Sequence, residues 1–206
     1  MDPRGLVDGL AGDLGPGERV DGLLLADLDL SGADLSGLGL DECRLEAVVL
    51  DDARLDGWRL TDSVLERASG AAVRARGAVL RDVLVRGCRF GAAEWFDAEW
   101  DRVHLEGCRI DYLSLAGSRL TDGVLTGCTI GELDLRGATV RRLALRDCRV
   151  ADLSLEGADA RHLDLRGADL ERVDGVAALR GAVVSEVQLL RLAPLLATAL
   201  GIEVEG

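Results

Sequence analysis

Chemistry in this 206-residue chain would have to rest on a few residue types: two histidines, five cysteines, and a large stock of carboxylates and arginines. His104 and His162 stand without the partners that would make them catalytic. The chain contains no H-E-x-x-H, no G-x-S-x-G and no glycine-rich phosphate loop. The cysteines Cys43, Cys88, Cys108, Cys128 and Cys148 form no C-x-x-C pair, and the last four are each 20 residues apart. Thiols at a constant interval would suit a metal only if their sulfurs converged. Stacked at the roughly 4.8 Å spacing of neighbouring strands, they form a line instead. Tetrahedral zinc needs four sulfurs about 2.3 Å from one point, and parallel inward side chains have poor disulfide dihedrals. Cysteine as a small apolar filler is the reading, with no metal, no cofactor and no catalytic residue expected, hence no enzyme. An odd thiol count without a secretory apolar region fits a reducing, cytoplasmic setting.

A spacing of 20 requires an element that repeats at that interval. Every fifth residue from Val20 to Leu170 is Val, Ile, Leu, Phe or Trp at 28 of 31 positions, the exceptions being Gly70, Ala75 and Ala160. Neither a helix (period 3.6) nor a strand (period 2) gives such a frame. Two residues before each centre lies a second apolar register. There, small residues such as Ala33, Cys43, Ala53 and Ser63 alternate with Leu28, Leu38 and Val48. Two inward positions in five, the others polar or Gly, describe one side of a polygonal coil. The 20-residue interval of the cysteines gives four sides per turn. Aromatics make up only 3% of the chain, so the core is aliphatic and repetitive. No run approaches the ~18 apolar residues of a membrane span.

Units such as Ala33-Asp34-Leu35-Ser36-Gly37 and Ala168-Asp169-Leu170-Glu171-Arg172 resemble the pentapeptide-repeat family, whose consensus is A-(D/N)-L-x-x. That resemblance implies an all-β fold, a right-handed quadrilateral β-helix with one face per five residues and one coil per 20. Residues 20–174 would form about 7–8 coils, a rod of roughly 37 Å at one strand spacing per coil. The chain departs from the family in its frequent Leu or Val where a small residue is preferred. At Ser69–Ala72 the centres shrink to Gly70 and Ala75, which should thin the core or let a face bulge. At Ala93 and Ala98 small neighbours flank Trp95 and Trp100, either making room for inward indoles or presenting aromatic anchors to a partner.

Residues 1–19, with Pro3 and several glycines, read as an N-terminal cap, and 175–206 as a C-terminal cap. Ser185-Glu186-Val187-Gln188 is a capping box, and Gly201 a helix stop. Pro194 predicts a kink, or two short helices meeting near Ala193. Val187, Leu190, Leu192, Leu195, Leu196 and Leu200 are more apolar surface than one end of a rod needs, and they predict a homodimer. Deletion of 185–206 should then leave a folded monomeric rod. In topoisomerase-directed members the resemblance also implies dimerisation through this segment.

The net charge of −13 disfavours direct nucleic-acid or membrane binding, but it is uneven. Residues 1–66 carry 16 acids and 5 arginines, whereas 67–149 carry 11 acids and 14 arginines. Asp29, Asp34, Asp51 and Asp56 are candidate partner-binding acids. Arg86, Arg89, Arg109, Arg146 and Arg149 form a candidate basic stripe on one predicted face. Leu135 is an inward centre where a carboxylate should unfold the rod, and Arg136 an outward position where one should be tolerated. Two functions fit: a protein–protein interaction scaffold with an unidentified partner, or, as the resemblance implies, a rod that mimics DNA toward gyrase.

Overall fold

The computed structural model describes residues 5–203; Pro3 of the expected N-terminal cap and the last residues of the C-terminal one lie outside that range. A parallel β-solenoid of about eight coils fills it, closed by one α-helix. Between Arg19 and Asp174 the strands pair in parallel with segments 20 residues on, for example Phe90 with Gly70 and Ile110, and Leu105 with Val85 and Leu125, whereas Val7–Asp8 pairs with Leu23–Leu24. Four columns of centres, named here by one coil, define four faces. Face 1 contains Ile110, face 2 Leu115, face 3 Trp100 and face 4 Leu105. Long strands such as Val79–Arg86 and Glu99–Glu106 run across faces 3 and 4, and face 2 is built from tight turns.

The five-residue frame persists because a backbone reversal closes each unit. The residue two after a centre commonly has positive φ: Gly37, Gly57 and Gly77 on one corner, Asp62, Asp82 and Arg102 on another. Glycine adopts this conformation freely, and the non-glycine residues are held there by inter-coil ladder bonds such as Asp62 N–H to the Arg81 carbonyl (3.0 Å).

The corner between faces 1 and 2 is made differently in the two halves of the rod. Gly32 and Asp52 turn it with φ of 67° and 54°. From the next coil onward the equivalent residues lie inside strands, and Ser69–Arg74, Arg89–Glu94, Arg109–Ser114, Thr129–Asp134, Arg149–Ser154 and Asp169–Asp174 form one six-stranded sheet. The change begins where the sequence runs Ser69-Gly70-Ala71-Ala72. Gly70 is required there: a Cβ would lie 2.6 Å from Val73 Cγ2 and 3.4 Å from the Leu50 backbone. One coil on, the same columns hold Phe90 and Trp95, whose rings stand 6.1 Å apart at 63°.

Trp95 and Trp100 are buried in the core, so neither offers an aromatic anchor. Trp58 is buried as well, at a large position of the second register, where the alternation after Leu38 and Val48 would have placed a large inward side chain. None of the three indole N–H groups finds an acceptor among the described residues.

At the C-terminal end one helix runs from Glu186 to Leu200 with Pro194 inside it, so the division into two short helices near Ala193 does not occur. Proline removes the donor to the carbonyl four residues back, on Leu190. Leu190 is 76% exposed, on the side of the helix turned away from the rod, so the lost bond falls where the residue is open to solvent. The capping box forms as the sequence indicates: Ser185 Oγ accepts from Gln188 N–H at 3.3 Å, and Gln188 Oε1 from Ser185 N–H at 2.7 Å.

Gln188 also terminates the ladder. Its Nε2 donates to the carbonyls of Leu165 (2.6 Å) and Ala168 (2.7 Å). In the body of the rod such carbonyls have other donors: that of Cys148, one coil before Ala168, accepts from Asp169 N–H, and that of Leu125, two coils before Leu165, from the Cys148 thiol. One side-chain amide therefore replaces a missing coil, and removing 185–206 would orphan both carbonyls.

Candidate protein-interaction surface

The cysteine column lies wholly inside. Cys88, Cys108, Cys128 and Cys148 each donate to the carbonyl two residues back and to one on the preceding coil, at 3.3–3.6 Å. The repeated geometry keeps the sulfurs in file, and all five cysteines are free and buried. The Cys128 thiol is pushed up to about 11, first by the neighbouring Cys108 thiol and then by burial. Such groups are poor nucleophiles. Among the described residues no cluster of His, Cys, Asp or Glu could hold a metal ion. His104 Nε2 lies 3.0 Å from Thr126 Oγ1, and His162 turns an exposed corner with φ of 57°.

One outward carboxylate is buried. Asp134, 1% exposed, accepts from Tyr112 Oη (3.2 Å) and from Arg136 through its backbone N–H (3.0 Å), Nε (2.9 Å) and Nη2 (2.8 Å). Burial works to raise its pKa, but the Arg136 hydrogen bonds outweigh it and hold the carboxyl below the usual range. Arg136 is therefore the counter-ion of a buried charge. A carboxylate there would face Asp134, so the expected tolerance of Arg136→Asp does not hold.

The four candidate acids of the N-terminal coils are on the surface, but on two faces and hydrogen-bonded to backbone. Asp29 accepts from Ser31 N–H (3.0 Å) and Asp34 from Ser36 N–H (3.1 Å), each lowered in pKa first by the serine hydroxyl. Asp51 accepts from Ala71 N–H and Asp56 from Arg76 N–H (3.1 Å). Of these only Asp34 has an arginine, Arg54, at 3.5 Å. Asp21 pairs in register with Asp41 on face 3, and Glu42 and Asp62 follow at its corner with face 4. None of these four has an ion-pair partner among the described residues. Sequence reasoning noted their charge but missed this alignment, which the 20-residue spacing of Asp21 with Asp41 and of Glu42 with Asp62 encodes.

The basic stripe is split by a corner. Arg89, Arg109, Thr129 and Arg149 stack in one column at the start of the face 1 strands. Arg86 and Arg146 stand across the corner on face 4, in a column with Glu106 and Thr126. The stripe thus flanks an edge and does not lie on one face. Arg86 pairs with Glu106 at 3.0 Å and Arg149 with Glu171 at 3.3 Å, while Arg89, Arg109 and Arg146 have no ion pair with a described residue.

The C-terminal helix divides the six predicted interface residues. Leu192 is buried on the rod, with Leu195 and Leu196 partly buried against the same core. These three belong to the cap and not to a free surface. Val187, Leu190 and Leu200 are exposed at 61%, 76% and 74%, and Leu189 joins them at 50%. Every other exposed large apolar residue of the described chain is also near an end: Val7, Leu10, Val183 and Ile202. The sides of the rod carry none. Among the described residues no helix is long and apolar enough to cross a membrane.

A four-sided parallel solenoid with two inward residues per five, no convergent reactive groups and charge-patterned sides is a structural class in its own right. The pentapeptide-repeat model matches residues 29–67 and 141–174 in eight copies, so these stretches carry the repeats of that family, and the parallel solenoid is consistent with its right-handed quadrilateral β-helix. Among solved structures it is similar to a trypsin-treated form of QnrB1, described as a plasmid-mediated fluoroquinolone resistance protein. That match has 22% identity over 97% of both chains and a TM-score of 0.39. The full-length QnrB1 structure gives 19% identity over 91% of this chain and 92% of that one, with a TM-score of 0.40. HetL of the cyanobacterium Nostoc sp. strain PCC 7120, a pentapeptide repeat protein involved in heterocyst differentiation regulation, gives 20% identity over 82% and 90%, with a TM-score of 0.26. No curated protein matches the chain.

Proposed function

We propose that the chain is a non-enzymatic docking rod that binds a protein partner through its N-terminal coils. One observation carries this reading: among the described residues, the acids of 20–66 mostly lack an ion-pair partner, whereas those of the next coils are mostly paired with arginine. An anionic surface left unneutralised by its own fold is suited to a cationic partner surface. A second reading, that the rod imitates the phosphates of DNA toward gyrase, is favoured by the unpaired columns Asp21–Asp41 and Glu42–Asp62. The +3 balance of residues 67–149 keeps it second, because a mimic gains from charge along its whole length.

Two experiments test these proposals. Asp29, Asp34, Asp51 and Asp56 replaced together by Asn take residues 1–66 from −11 to −7 while keeping an acceptor oxygen at each turn. Wild type should inhibit gyrase supercoiling, less so as salt rises, and the variant should inhibit it weakly at equal stability. Wild type without effect at tens of micromolar in low salt would end the gyrase reading and leave the docking reading to capture experiments. We also propose a homodimer through the outer helix face of Val187, Leu189, Leu190 and Leu200. Sedimentation of Leu190→Arg/Leu200→Arg should then show a folded monomer, and a monomeric wild type would refute the dimer.

A further inference from the structure

The described arginines without an ion pair are Arg19, Arg59, Arg89, Arg109, Arg146 and Arg180, and half of them flank one edge of the rod, between faces 4 and 1. Elsewhere in the middle coils the fold neutralises its own arginines: Arg74 with Glu94, Arg81 with Asp101, Arg102 with Asp82, Arg142 with Asp122. Each of those pairs spans one coil. At this edge the ladder instead sets Arg89 directly beside Arg109, like charges on adjacent strands, which is unfavourable in the isolated chain.

The crest between the two flanking columns is bare. Its corner residues are Gly87, Gly107 and Gly127, with φ of 60–62°, and a side chain there would meet open space at Gly107 and Gly127. On the corner between faces 3 and 4 the equivalent residues, Asp82, Arg102 and Asp122, all carry charged side chains. In the coil of Gly127 both flanks carry hydroxyls, Thr126 and Thr129. Of the acids along the flanking columns, Glu66 is taken by Arg44 and Arg67, Glu106 by Arg86 and Asp169 by Arg191, and Asp147 ends the bare run at the corner.

We propose that this edge, with Arg89, Arg109 and Arg146 beside the Gly87–Gly127 crest, is a docking ridge for a second surface: an acidic groove on a protein partner. The inference rests on the docking-rod reading above and adds a cationic contact to its anionic one. A convex, side-chain-free crest with guanidinium groups on both flanks fits a concave surface lined by carboxylates. Those carboxylates would relieve the Arg89–Arg109 repulsion and accept from the guanidinium forks. Nucleic acid is the disfavoured polyanion, because the rest of the chain is strongly acidic.

Full-length protein is titrated with fluorescein-labelled poly-L-glutamate and, separately, with a dT oligonucleotide of equal charge, in about 50 mM salt so that surface charges are weakly screened. Polyglutamate should bind more tightly than the oligonucleotide. Arg89→Ser/Arg109→Ser should weaken polyglutamate at least about tenfold, while Arg59→Ser leaves it unchanged. The double variant should also melt no lower than wild type. Absence of binding, equal binding by the double variant, tighter binding of the oligonucleotide, or a clear fall in melting temperature would each overturn the ridge. The four-Asp→Asn variant keeps the ridge, so it should bind polyglutamate like wild type whether or not the acidic coils act on a partner, which separates failure of that reading from failure of the ridge.

Discussion

The coils before Ser69 and those after it share one core and differ in what they do with charge. In both, the inward centres are apolar and almost completely buried: Leu35, Leu55, Leu115 and Leu135 of face 2 are 0–2% exposed. On the N-terminal coils, outward acids bond to backbone amides and serine hydroxyls, and few meet an arginine. On the middle coils, acids and arginines alternate along columns and close ion pairs from one coil to the next. The outward positions carry this difference in charge, because an inward period of five holds the coil whatever the other three residues are. Surface charge on such a rod varies without cost to the core, so function resides there.

The largest test addresses the shared core. Leu55→Asp and Leu135→Asp should each abolish cooperative unfolding near room temperature, since each buries an unpaired carboxylate in a closed apolar column. Thr129→Asp, outward between Arg109 and Arg149, should melt within a few degrees of wild type. If only one of the two leucine variants unfolded, the halves would not share a core and the comparison would fail.

The next effect separates the halves. Arg136→Asp should cost on the order of 3–5 kcal/mol, because it removes the counter-ion of a buried carboxylate and sets a second one beside it. Arg54→Asp, whose partner Asp34 is exposed, should cost under about 1 kcal/mol. pH sharpens the contrast. Asp134 has its folded pKa depressed, so its contribution is complete above the unfolded value near 4 and is lost as pH falls through the folded one. Acid titration of Asp134→Asn should show a shallower loss of stability below about pH 4 than wild type. An unchanged acid limb would mean that Asp134 titrates as an ordinary surface carboxylate.

The smallest effect is on the acidic coils themselves. Asp29, Asp34, Asp51 and Asp56 changed together to Asn should shift stability by no more than about 0.5 kcal/mol per site in thermal melts, since the turn acceptors are retained. A larger loss would show that these charges hold the coils and are not free for a partner.

Most of the architecture was legible from the chain because a solenoid is nearly one-dimensional: each residue's neighbours lie 20 before and 20 after it. The frame from Val20 to Leu170 therefore fixed the inward columns, the stacking of the cysteines and the number of coils. The capping box and the Gly201 stop were legible for a local reason, since their hydrogen bonds close within a few residues. Tertiary structure decided what lies across a corner or at an end. The stripe of Arg86, Arg89, Arg109, Arg146 and Arg149 is contiguous in the repeat yet divided by the bend at Gly87 and its equivalents. Asp134 sits at an outward position, yet Tyr112, Ser114 and Arg136 cover it, and the repeat does not record which side chains close over it. Leu192, Leu195 and Leu196 went to the rod because Gln188 anchors the helix on the last coil's open carbonyls, leaving Val187, Leu189, Leu190 and Leu200 outside. Pro194 remained within one helix because the bond it removes falls at Leu190, which is open to solvent.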